Sequence, residues 1–269
     1  LKGTTSSQFI SALLLIAPYL SGGLTIKLTK LPVSLSYIQL TINLMKQWGA
    51  RVQIAESEIT VEEGHYTRNL PLVIEADWSA ASYWYMMASA CRGSRVELPG
   101  LVLPSLQGDS IVAIWMNELG VKTEVSKSGC VISSGELARC RIFEKDFSSC
   151  PDLVPAFAVT CALHEIPAVF NGVAHLKLKE SDRLVALASE LQKINCIVTC
   201  TDDGIMRLTP GSFTLPKEPF YTWNDHRMAM SVAGFACRVP IELTDGKVVS
   251  KSYPGFWDDM IKAGFVCKI

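Results

Sequence analysis

Charged residues crowd into the stretch HLKLKESDRLVAL, from His175 to Leu187: Lys177, Lys179, Glu180, Asp182 and Arg183 lead straight into an apolar run. The amide end of a helix carries partial positive charge and favours Asp or Glu, so cations gathered there repel unless an anion joins them. Two further stretches repeat the arrangement. In WNDHRMAM, Asn224 is expected to cap a helix whose first turn holds Arg227, and in SKSYPGFW, Lys251 precedes another helix. Free backbone N–H groups, the dipole and forked guanidinium donors together suit a carboxylate or a phosphate. The alternative is that these cations pair only with Glu180, Asp182 and Asp225. Three clusters at equivalent places favour the anion.

Two carboxylates stand apart from the rest. Asp152 is expected to open one helix and Glu180 another. If those helix starts face one cavity, an acid and a base lie beside an anion-binding centre, which suits proton transfer to a phosphate-bearing substrate. Asp152 has a plainer alternative as a helix cap. Ser6, Ser7 and Gln8 precede a further helix, and Ser34, Ser36 and Tyr37 yet another. Their hydroxyls and amide can cap helices, or can hold a phosphate or sugar-like hydroxyls.

The elements that must position these residues form a repeat. Small, apolar first helices begin at Ser6, Ser79, Asp152 and Asn224, at intervals of 73, 73 and 72 residues. A strand follows each (LTIKL, RVELP, PAVFNG, PIEL), then an amphipathic second helix ending on Gly49, Gly120, Asn195 or Gly264, then another strand (RVQIAE, VKTEVS, CIVTCT, FVCKI). Gly and Asn tolerate the left-handed position just past a helix end. In the third second-helix, Leu184, Val185, Leu187, Ala188 and Leu191 fall on one face. Extra strands such as LPLVIEA and ARCRIFEK precede later helices. The predicted class is α/β, with parallel strands joined by helices. The chain starts almost directly on a first-type helix, without Met or a preceding strand. That start points to the C-terminal part of a longer polypeptide.

Composition narrows the partners. Lys and Arg number 25 against 26 for Asp and Glu, so no general affinity for nucleic acid or an anionic membrane is expected. The nine cysteines form no CxxC pair and there are four histidines, which predicts free thiols in a reducing cytosol and no zinc or other metal site. The segment FISALLLIAPYL imitates a signal peptide, yet it recurs later as a structural unit and is too short to span a bilayer.

NDHRMAM, KESDRL, SSQF, PD before a helix and KSYPGFW, in these places along the whole chain, resemble the 5-enolpyruvylshikimate-3-phosphate synthase family. The resemblance implies an inside-out α/β barrel of the enolpyruvyl transferase type built from repeated βαβαββ units, about four of six being present. Residues 1–74 would be the last unit of an N-terminal domain and 75–269 the three units of a C-terminal domain. The implied reaction transfers the enolpyruvyl group of phosphoenolpyruvate to the 5-hydroxyl of shikimate 3-phosphate and releases phosphate, in the cytoplasm and without a cofactor. By resemblance, Ser6, Ser7, Gln8, Ser34, Tyr37, Asp152, His175 and Lys179 bind shikimate 3-phosphate. Gln8, Arg183, Arg227 and Lys251 hold phosphoenolpyruvate. Glu180 is the proton donor to the methylene carbon and Asp152 the base for the hydroxyl. Leu35 departs from the family's basic residue, and His175 stands where an asparagine is usual. A lysine-bearing N-terminal segment of the family is not in the chain, so that missing part is the expected partner and the chain alone is expected to be inactive. Other candidates are UDP-N-acetylglucosamine enolpyruvyl transferase, an RNA 3′-phosphate cyclase and a non-catalytic anion-binding module.

Overall fold

A computed structural model describes residues 6–29, 34–55, 57–67, 73–135 and 141–268. They divide into two compact units.

The first unit comprises the described residues up to Glu75, with Pro104–Ser110 and Ser148–Cys150. Helices α1 (Ser7–Ile16) and α2 (Leu35–Gln47) accompany strands β1 (Leu24–Lys27), β2 (Val52–Ala55) and β3 (Glu58–Val61). Its core joins Ile10 and Leu14 of α1 to Ile38, Ile42 and Met45 of α2 and to Ile26, Ile59 and Val61 of the sheet. Spacings of three and four residues put these side chains on single helix faces. The opposite face of α1 leaves Phe9, Leu15 and Ile16 exposed.

The second unit holds the remaining described residues. Strands β4 (Arg95–Pro99), β5 (Val121–Val125) and β6 (Gly129–Ser134) make one sheet; β7 (Phe143–Asp146), β8 (Ala168–Asn171), β9 (Cys196–Cys200) and β10 (Met206–Pro210) make another. First-type helices α3 (Trp78–Ala90), α5 (Val154–Leu163) and α7 (His226–Val232) pack in succession, α3 on α5 and α5 on α7. Every residue of α5 is buried, as expected of a helix apolar on all sides. Phe157 of α5 stacks on Phe143 at 5.3 Å and meets Phe147 edge-on at 5.5 Å, so one ring ties the helix to the second sheet. Second-type helices are α4 (Val112–Glu118), α6 (Arg183–Gln192) and α8 (Phe256–Lys262).

The repeat is present with corrections. Gly49, Gly120, Asn195 and Gly264 all sit past their helices with φ between 67° and 100°, the left-handed region. The helix-linked strands, however, do not pair in parallel. A third strand (β3, β6 or β10) inserts between the two and pairs antiparallel with both; among the described strands only β7 and β8 pair in parallel. The short link from the second strand makes the antiparallel neighbour local, whereas a parallel neighbour needs a crossover. PIEL contributes only an isolated bridge from Leu243 to Phe220, and the described part of FVCKI is not a strand. In LPLVIEA, Leu70–Leu72 lie outside the described residues, and Val73 and Ile74 are exposed and unpaired as strand. ARCRIFEK lies partly outside them as well, its described end supplying β7. On α6, Val185 faces solvent, Ala188 is half-buried, and Ala186 is buried instead.

Candidate active site

Side chains at the starts of α5, α6 and α7 meet in the second unit. Asp152 lies in the tight turn Pro151–Leu153 that leads into α5. Its Oδ1 accepts from Arg183 Nη1 at 2.9 Å and its Oδ2 from Arg227 Nη2 at 2.9 Å, while Lys179 Nζ stands 3.6 Å from Oδ1. The N-cap position of α5 belongs to Leu153, so Asp152 is chiefly a counter-ion for three cations rather than a cap. Arg183 opens α6 with its side chain 1% exposed; Nη2 reaches Glu180 Oε2 at 2.6 Å and Nε reaches Asp225 Oδ2 at 2.8 Å. Asp225, fully buried, also accepts from Ser181 Oγ at 3.1 Å and from the Arg227 N–H at 2.9 Å.

Two expected helix starts move. Asp225, not Asn224, caps α7, and Asp182 caps α6 by accepting from the Leu184 and Val185 N–H groups. Glu180 therefore precedes α6 rather than opening it, with its side chain 43% exposed. Trp223 and Asn224 instead take φ of 54° and 52°. Left-handed backbone costs non-glycine residues roughly 1–2 kcal/mol each, so this corner persists only because its surroundings hold it. Lys251 Nζ supplies part of that hold, donating to the Asn224 carbonyl at 2.6 Å and to its Oδ1 at 2.9 Å. The pairing expected of the cations is seen in part: Arg183 pairs with Glu180 and Asp225, and it also converges with Arg227 and Lys179 on Asp152.

Burial would push the Asp152 carboxyl up, but Arg227, Lys179 and Arg183 more than reverse this and hold it well below the usual carboxylate range. Asp225 is likewise lowered, burial being outweighed by Arg183. His175, in the turn Ala174–Leu178, is pushed down to about 4 by burial and then by Lys179, so its imidazole is neutral at pH 7. Tyr83 of α3 is pushed up to about 12 by burial, against the pull of Arg227.

The remaining candidates lie in the first unit. Ser6 caps α1, its Oγ accepting from the Gln8 N–H at 3.4 Å; Ser7 is buried and Gln8 exposed. Ser34 precedes α2 with φ of 61°, and its N–H donates to Ser148 O at 2.9 Å. Ser36 Oγ donates to Ser149 O, and Tyr37 donates its hydroxyl to the buried Asp109 at 3.2 Å. Leu35 is partly exposed and brings no charge. Asp225, Ser181 and Tyr83 were not among the sequence candidates for the site. For Asp225 the available signal was an acid directly before a helix that starts with cations.

Among the described residues no group of three or more His, Cys, Asp or Glu could hold a metal ion, and none of the eight described cysteines is in a disulfide. No helix there is long and apolar enough to cross a membrane.

Residues 1–260 match the family model for EPSP synthase (3-phosphoshikimate 1-carboxyvinyltransferase). A 3-phosphoshikimate 1-carboxyvinyltransferase of Bacteroides fragilis is 43% identical over all of this chain, and one of Methanospirillum hungatei is 34% identical over 96% of it. The chain spans 66% and 60% of those proteins' lengths. EPSP synthase of Acinetobacter baumannii shares the fold at a TM-score of 0.73 and 22% identity, over 97% of this chain and 61% of its own. With its helix-start cations, its three-cation carboxylate and these likenesses taken together, the chain belongs to the EPSP synthase family.

Proposed function

We propose that the chain is the C-terminal portion of a cytoplasmic 3-phosphoshikimate 1-carboxyvinyltransferase, which moves the enolpyruvyl group of phosphoenolpyruvate to the 5-hydroxyl of shikimate 3-phosphate. The observation that carries this is the convergence of Arg183, Arg227 and Lys179 on Asp152 at helix amide ends. Several anionic groups entering one site need such a set of donors, held in place before reaction. Residues 1–74 then form the last unit of an N-terminal domain, 75–269 are the C-terminal domain, and the complete fold is a six-unit inside-out α/β barrel.

Arg183, Arg227 and Lys251, with Gln8, bind phosphoenolpyruvate. Ser6, Ser7, Gln8, Ser34, Tyr37, His175 and Lys179 bind shikimate 3-phosphate. Asp152 takes the proton of the 5-hydroxyl as its oxygen bonds to C2 of phosphoenolpyruvate, and Glu180 protonates the methylene carbon. Elimination removes a proton from the resulting methyl group, restores the double bond and expels phosphate. The partner is the N-terminal part of the same polypeptide, and the apolar outer face of α1, with Phe9, Leu15 and Ile16, is where its units pack.

The test measures phosphate release from the two substrates by pure 1–269, and by a chimera carrying the N-terminal third of the Bacteroides fragilis relative. Turnover is expected from the chimera alone. Activity of 1–269 by itself overturns the need for the N-terminal part, and a folded but inactive chimera overturns the assigned reaction.

A further inference from the structure

Glu190 is an acid on the buried side of α6, and its burial is complete. Both carboxylate oxygens point at one segment. Oε2 accepts from the Tyr221 N–H at 2.9 Å and from Lys193 Nζ at 2.6 Å; Oε1 accepts from the Trp223 indole at 2.8 Å. Lys193 reinforces the hold by donating to Pro219 O at 2.7 Å and lying over the Tyr221 ring at 4.4 Å. Such a buried carboxylate is costly unless fully bonded, so the site is built rather than incidental.

What Glu190 grips is the entry to the strained corner. Trp223 and Asn224 are the two consecutive left-handed residues, and Asp225 and Arg227 follow at once. A bulky side chain in that region is an outlier that its surroundings must over-determine. Lys251 holds Asn224, but on the function proposed above Lys251 turns to the substrate when phosphoenolpyruvate binds. Glu190 reaches the corner from inside the fold, through bonds separate from those of Lys251.

We propose that Glu190 is a positioning residue: through the Trp223 indole and the Tyr221 N–H it sets the left-handed corner that seats Asp225 in the frame and aims Arg227 at the anion site. This rests on the reading of that cluster as an anion site, and the test separates the two.

Glutamine at this position keeps the shape but offers one acceptor oxygen where three donors converge. In chain 1–269, Glu190→Gln is expected to speed amide hydrogen exchange across 221–229 at least tenfold, leaving residues 187–192 of α6 within twofold. Titration with inorganic phosphate, followed by the Arg227 side-chain NMR signals, is expected to show at least fivefold weaker binding. Trp223→Phe removes the indole donor alone and should reproduce both effects in part, and the double variant should lose no more than Glu190→Gln. If Glu190→Gln fails to fold, Trp223→Phe reads the same bond. Unchanged exchange at 221–229 in a folded variant overturns the proposal, as does equal acceleration throughout α6, which is what a merely structural role gives. If wild-type 1–269 shows no phosphate response while the exchange pattern holds, the anion site fails and the positioning of the corner stands.

Discussion

Replacing Arg183 by Met tests the electrostatic core of the site most directly. Met fills much of the buried stem but leaves three carboxylates without their shared partner. They do not weigh equally. Glu180 is 43% exposed, so water replaces the guanidinium and the pair is worth no more than about 1 kcal/mol. Asp152 keeps Arg227 and Lys179. Asp225 is fully buried and keeps only the Ser181 hydroxyl and the Arg227 N–H among the bonds described above. Stranding a buried charge costs about 3–5 kcal/mol. For a chain of this size that lowers Tm by roughly 6–20 °C. The pH dependence identifies the cause. In the wild type the Asp225 pKa lies below its unfolded value, so its contribution is present above about pH 4 and lost as pH falls through the folded pKa. In the variant, burial without Arg183 raises that pKa, and the loss of stability therefore grows from pH 4 to pH 7. Adding Asp225→Asn, which still caps α7, should recover about 2 kcal/mol at pH 7. Urea unfolding at pH 4 and pH 7 measures each quantity. A loss that is the same at both pH values, or no recovery in the double variant, would show that Arg183 acts by packing rather than charge.

Three further outcomes are expected. The His175 Cε1 proton should keep its NMR shift from pH 8 to pH 5, because the imidazole is held down at about 4; its stabilising effect is present above about pH 6.5 and lost as pH falls toward 4, and a midpoint near 6.5 would contradict the burial argument. Gly204→Ala should cost about 1–3 kcal/mol in urea unfolding, since φ is +85° and the new Cβ meets the Ala174 backbone nitrogen at 2.8 Å, whereas Gly93→Ala, with φ of +76° and open space, should cost less. In the chimera, Glu180→Gln should lower turnover at least a hundredfold with shikimate 3-phosphate binding kept within a few-fold, and near-normal turnover would remove Glu180 from proton transfer.

Local features of the fold were readable in the sequence; tertiary choices were not. A Gly or Asn past each second helix is decided by one residue's backbone freedom, so Gly49, Gly120, Asn195 and Gly264 were visible. The third strands are short, and EITV or GCVISS carries no signal for which neighbour it joins, so the antiparallel insertion was missed. Asn224 and Asp225 are equally good caps. The choice between them is made by Lys251 holding one and Arg183 holding the other. Glu190 hid for a different reason: a charged residue is read as solvated. Its spacing of three from Leu187 and seven from Arg183 nevertheless placed it on the buried face.

On the proposed function, the cations on positive helix ends form a linkage. Asp152 accepts from Arg183 and Arg227 and lies in the field of Lys179. That arrangement satisfies the cations, but it makes Asp152 a weak base, because the same charges that hold it also depress its pKa. On the proposed function, an arriving phosphate or carboxylate competes for those donors. Each one it takes removes part of what lowers the Asp152 pKa, and its own negative charge raises that pKa further. Binding the anion and strengthening the base are then one event. On that reading the base is active only when the anion is present, which suits a two-substrate transfer. Asp225 differs in its place: fully buried, it joins the start of α6, through Arg183 and Ser181, to the first turn of α7, through the Arg227 N–H, and so serves the frame.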